Sequence, residues 1–178
     1  MSSLKTLFLD RDGVINEERP GDYVKNKDEF IFIPGVLEAL AILEDYFDRI
    51  ILITNQRGVG RGLMSIEDLK EIHANMLTRI QDSGGRIDKI YIATDVESSS
   101  LNRKPNPGMG LQAQQDFPEI LFSSSIMIGN SLSDMQFGKK LGMKTILVGN
   151  KYKITEKDND LIDYSFPDLL SYARTLCG

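Results

Sequence analysis

"KTLFLDRDGVIN", Lys5 to Asn16, sets the reading of the whole chain. Its first half, "KTLFLD" (5–10), is a short apolar run without polar alternation, the pattern of a strand buried on both faces. The run stops on two aspartates, Asp10 and Asp12. Four runs of the same kind follow: "RIILIT" (49–54), "KIYIAT" (89–94), "SIMIG" (125–129) and "KTILVG" (144–149). Helical spacing fills the intervals. Val36, Leu37, Leu40, Leu43 and Phe47 recur at three and four after Pro34, and "SIEDLKEIHANMLTRIQDSGG" opens on Ser65 with Asp68 three residues on and closes on Gly84 and Gly85. Further helices are expected near Pro107, near Ser131 and after Pro167, with a short strand near "DYSF". Strands alternating with helices predict an α/β fold, a doubly wound, Rossmann-like parallel sheet flanked by helices. Ligands of such sheets bind at the carboxyl ends of the strands.

Unusual residues gather at those ends. The first run ends in "DRDG", the second in "TNQRG", the third leads to "RKPNPG" and the fourth ends in "GNSLSD". Asp10 and Asp12 are two apart at a strand end, so their side chains leave on one side. Paired carboxylates suit a cation between them, or one acting as nucleophile and the other as general acid and base. Thr54 and the N–H groups of the glycine-rich turn after it, with Gly58, Gly60 and Gly62, can hold phosphate oxygens, and Arg103 and Lys104 form a tight basic pair in an acidic chain. Taken singly, the first two clusters read better as a helix start and a polar turn, and the basic pair equally well as a solvated loop. Their joint order is what chance seldom supplies.

The bulk numbers bound the partners. At 178 residues, 41% apolar and 26% charged, the chain suits a single domain over 1–178. A net charge of -5 and a pI near 5.0 argue against nucleic-acid or membrane partners, which need clustered Lys and Arg. Cys177 is the single cysteine, which excludes an internal disulfide and fits a reducing compartment. "MSSLKTLFLDRDG" meets charge too soon for a signal peptide, so a cytoplasmic protein is expected.

The order Asp-x-Asp, Thr, Lys and an acidic turn after successive strands resembles the haloacid dehalogenase (HAD) superfamily of phosphotransferases, over nearly the whole chain. "LDRDGVIN", "TNQRGVGRG", "RKPNPGM" and "GNSLSDMQFG" resemble more closely the branch of D-glycero-D-manno-heptose 1,7-bisphosphate and histidinol-phosphate phosphatases. The resemblance implies a phosphoric monoester hydrolase, with Asp10 as the nucleophile that becomes an aspartyl phosphate. Asp12 would protonate the leaving alcohol and then activate water, while Thr54 and Lys104 hold the phosphoryl oxygens. It implies magnesium on the Asp10 carboxylate, the Asp12 carbonyl and Asn130, with Asn55, Gln56, Arg103 and the loop from Glu17 to Tyr23 facing the rest of a small phosphorylated sugar. The expected substrate is a heptose 1,7-bisphosphate cut at the 7-phosphate, then histidinol phosphate or another polyol phosphate.

Two departures stand out. The segment "TDVESSSLNRKP" lacks the Cys and His of the zinc loop common in the branch, so no zinc is expected. His73, the single histidine, lies inside a helix and reads as structural or solvated. At Asn130 the family usually has an aspartate, so magnesium should bind more weakly, with Asp134 holding Lys104 or a metal-bound water. No long insertion leaves room for a separate cap domain, and a monomer is expected. A phosphoacceptor signalling module fits less well, because its acceptor Asp belongs after the third strand, which here reads "ATDVE". A pseudoenzyme that lost its metal is the other rival.

Overall fold

Each of the five apolar runs becomes a strand: β1 Thr6–Leu9, β2 Arg49–Asn55, β3 Lys89–Ala93, β4 Ile126–Gly129 and β5 Lys144–Val148, with β6 Tyr164–Phe166 where "DYSF" placed it. The computed structural model describes residues 4–178; residues 1–3, part of the stretch in which no leader is expected, lie outside it. All pairings are parallel, in the order β3-β2-β1-β4-β5-β6. β1 therefore sits at the centre, with Leu9 in register with Leu52 on one side and Ile128 on the other. The winding reverses between β1 and β4, and the crevice at that switch point is where such sheets bind ligands.

The helices are α1 Val36–Glu44, α2 Arg57–Gly60, α3 Ile66–Asp82, α4 Gly108–Asp116, α5 Leu132–Lys140 and α6 Leu169–Thr175. Ser65 and Asp68 form the capping box that starts α3, each side chain accepting from the other's backbone N–H at 3.0 and 2.8 Å. The glycine-rich stretch after β2, read as a turn, instead makes the single helical turn α2.

Alternate residues of the central strands feed two cores. Leu7, Leu9, Ile50, Leu52 and Ile128 pack under Leu40 and Leu43 of α1, Ile72 and Met76 of α3, and Tyr172 of α6. Phe8, Ile51, Ile53 and Met127 pack under Met109 and Ala113 of α4 and Phe137 of α5. Burial on both faces explains why the runs show no polar alternation. Among the described residues no helix is long and apolar enough to cross a membrane.

Candidate active site

Lys104 organises the crevice. It is 3% exposed, and its Nζ donates to Asp10 Oδ1 at 2.9 Å, Asp134 Oδ1 at 2.7 Å and the Ile53 carbonyl at 2.8 Å. All three ammonium protons are thus taken up. Burial alone would lower its pKa, but the two carboxylates hold it above the usual value. Asn55 fixes its backbone through a reciprocal amide pair, Oδ1 accepting from the Lys104 N–H at 3.0 Å and Nδ2 donating to its carbonyl at 3.2 Å.

Asp10 follows β1, and its N–H still donates to the Ile128 carbonyl of β4 at 3.0 Å. Burial, with the Asp134 carboxylate second, pushes its carboxyl up to about 7 against the pull of Lys104. Two carboxylates share one ammonium, so the pair carries excess negative charge that a cation would balance. Asp134, 1% exposed, accepts at its other oxygen from the N–H of Asn130 and of Ser131 at 3.2 Å each and from Ser131 Oγ at 2.8 Å. Of the two expected roles for Asp134, its contacts are those of the Lys104 partner.

Asp12 accepts at Oδ1 from Arg11 Nη2 at 2.7 Å and Asn16 Nδ2 at 3.0 Å, and at Oδ2 from Gln56 Nε2 at 2.9 Å. Burial would raise its pKa, but the Arg11 charge and these bonds hold it below the usual carboxylate range. Thr54 is fully buried at the end of β2, its Oγ1 accepting from the same Gln56 Nε2 at 2.8 Å. Gln56, expected to face the substrate, is 2% exposed and ties Asp12 to Thr54. The Asn55 amide, given the same expected role, is bonded to the Lys104 backbone, and both residues border a cavity of about 200 Å³ beside Asp12.

The donor chemistry fits a hard divalent cation. No described hydrogen bond engages the second Asp10 oxygen or Asn130 Oδ1, whereas Asn130 Nδ2 donates to Glu18 Oε1 at 3.1 Å. Gly13, at φ +83°, carries the backbone beneath that amide, and a Cβ there would lie 1.9 Å from Asn130 Nδ2. A side chain at position 13 would displace the Asn130 amide, so glycine lets that amide lie against the turn after Asp12. Among the described residues no cluster of three or more His, Cys, Asp or Glu is placed to hold a metal ion.

Several participants escaped the sequence reading. Arg11, read only as the x of Asp-x-Asp, is 1% exposed and pairs with Asp12. His73 is not solvated: it is 5% exposed and bonds Arg11 Nη1 through Nε2 at 3.1 Å. Arg103 lies beside Arg57 and Arg61, and burial together with their charge lowers its pKa. None of the three forms an ion pair among the described residues, and Arg61 Nη1 donates to the cavity-wall Tyr23 Oη at 3.1 Å. In the segment without Cys or His, Asn106 clips the loop instead, donating to the carbonyls of Ser98 and Ser100 at 3.1 and 2.8 Å.

Residues 101–170 match a family model described as HAD-hydrolase-like. The D-glycero-alpha-D-manno-heptose-1,7-bisphosphate 7-phosphatase of Mycobacterium bovis is 34% identical over 94% of this chain and 88% of its own. The D-glycero-beta-D-manno-heptose-1,7-bisphosphate 7-phosphatase of Neisseria meningitidis serogroup A is 33% identical over 96% and 94%. The crystal structure of D,D-heptose 1,7-bisphosphate phosphatase from B. bronchiseptica, complexed with magnesium and phosphate, superposes with a TM-score of 0.85 at 31% identity, over 98% of both chains. With the parallel sheet, the lysine-bridged carboxylates at its switch point and a third of the residues shared along nearly the entire length, the chain belongs to the HAD-like hydrolases, in the family that includes the heptose-1,7-bisphosphate 7-phosphatases.

Proposed function

We propose that the protein is a magnesium-dependent phosphatase that removes the 7-phosphate of a D-glycero-D-manno-heptose 1,7-bisphosphate through an aspartyl phosphate on Asp10. The observation that carries this reading is the Asp10–Lys104–Asp134 bridge, which holds one Asp10 oxygen and leaves the other without a described partner. That free oxygen attacks phosphorus, and the bond from phosphorus to the sugar oxygen breaks. Asp12 protonates the departing oxygen; the dianionic phosphate arriving beside it raises its proton affinity from the depressed resting state. In the second half, ionised Asp12 takes a proton from water, the water oxygen attacks phosphorus, and the Asp10 carboxylate is released. Thr54 and Lys104 line the position of the phosphoryl oxygens. Asp10, the Asp12 carbonyl and Asn130 would hold magnesium, which would supply Lewis-acid neutralisation of the phosphoryl charge.

The arginines favour a bisphosphate over histidinol phosphate. Arg57, Arg61 and Arg103 without carboxylate partners suit a second phosphate and repel a protonated amine. The single cysteine and the acidic charge support a cytoplasmic protein acting on small molecules. A comparison of kcat/KM for heptose 1,7-bisphosphate, heptose 7-phosphate and histidinol phosphate tests the reading. Preference for the bisphosphate by about tenfold or more is expected, the equivalent of one charge-assisted contact; a preference for histidinol phosphate overturns it.

A further inference from the structure

His73 is a buried group that the mechanism above does not use. It lies on the core-facing side of α3 among Leu69, Ile72 and Met76, where an apolar residue would fill the space without any hydrogen-bonding demand. Instead its Nε2 meets Arg11 Nη1 at 3.1 Å. Burial, then the Arg11 charge, push the imidazole down to about 3, so it is neutral and accepts at Nε2. Arg11 is itself 1% exposed; its Nη2 donates to Asp12 Oδ1 at 2.7 Å, and its Cζ lies 5.8 Å from the centroid of the Phe30 ring. Its Nε has no partner among the described residues. His73 and Asp12 are therefore the two acceptors that fix the guanidinium, one at each terminal nitrogen.

We propose that His73 is a positioning residue for Asp12, acting through Arg11 to hold the Asp12 carboxylate where it can exchange a proton with the leaving oxygen and then with water. The proposal rests on reading Asp12 as the acid and base. Removing the His73 acceptor leaves a buried Nη1 proton without a partner, and the guanidinium turns to recover one. Asp12 then loses its closest hydrogen bond and its orientation, while Asp10, Lys104 and Asp134, which bond neither Arg11 nor His73, keep theirs.

The test uses leaving groups of different need. An alkoxide leaving from a sugar phosphate requires a proton, whereas 4-nitrophenolate leaves without one, and kcat/KM reports the phosphoryl-transfer half for both. For His73→Leu the expected result is a loss of roughly 10- to 100-fold on the sugar phosphate and under about threefold on 4-nitrophenyl phosphate, the scale of a displaced acid. His73→Gln, whose amide reaches the place of Nε2, should restore both to within about threefold of wild type. His73→Met serves the same purpose should H73L fail to fold. Equal losses on the two substrates, no loss in a folded variant, or failure of folded H73Q to restore the sugar-phosphate rate would each overturn the proposal. Asp12→Asn separates the two levels: a substrate split in D12N without one in H73L refutes the role of His73 alone, and no split in D12N refutes the role of Asp12 itself.

Discussion

Asn130 is where this chain differs from the pattern its motifs resemble, and its surroundings give the difference a direction. Its amide nitrogen donates to Glu18 Oε1 at 3.1 Å, so Asn130→Asp would set two carboxylates against each other unless a cation lies nearby. A unit charge about 4 Å away is worth about 4 kcal/mol at an effective dielectric near 20, and screening and desolvation offset most of it. N130D should therefore bind magnesium about tenfold more tightly by calorimetric titration, whereas unchanged affinity would count against a ligand role. His73 carries a second prediction. Its folded pKa of about 3 lies below the ordinary 6.5, so between those values the unfolded chain binds the extra proton and stability falls as pH falls. Urea denaturation at pH 7 and pH 5 should show wild type losing more stability than H73Q, by about 1 to 2 kcal/mol, while an equal loss in both would contradict the neutral, buried imidazole. The Asn130 departure was legible in the sequence, but the His73–Arg11 contact was not, because arginine is rarely fully buried and one histidine on a helix says nothing about which face it presents.

The elements were legible to a residue or two, since each rests on local chemistry. Ser65 and Asp68 announced the start of α3, and Pro107, Ser131 and Asp168 stand at the caps of α4, α5 and α6. The miss was α2, where glycines at 58, 60 and 62 suggested a turn. Gly60 is there for contact: a Cβ would lie 2.0 Å from the Thr94 carbonyl oxygen, where the ends of β2 and β3 meet. A requirement for close approach leaves the same mark in a sequence as a requirement for a left-handed turn. Gly60→Ala should cost about 1–3 kcal/mol by denaturation and, because α2 carries Arg57 next to Arg61, raise KM more than it lowers kcat. A variant with unchanged stability and KM would show that the close contact relaxes freely.

For the molecule as a whole, the order β3-β2-β1-β4-β5-β6 turns residues far apart in the chain into neighbours. Asp10 after β1, Thr54 at the end of β2, Lys104 beyond β3 and Asn130 after β4 meet because those strands are parallel and adjacent, which is why reading strand ends in sequence located the candidate site. What strand order cannot convey is which polar group each side chain meets: Gln56 lies one residue beyond β2 yet turns inward to Asp12 and Thr54. The whole arrangement is tested most directly by following heptose 1,7-bisphosphate with the wild type and with Asp10→Asn by phosphorus NMR in magnesium. The wild type should release the 7-phosphate and keep the 1-phosphate, and D10N should be slower by at least about 10⁴-fold, the loss expected when a covalent nucleophile is removed. Release of the 1-phosphate, or turnover by D10N near the wild-type rate, would contradict it.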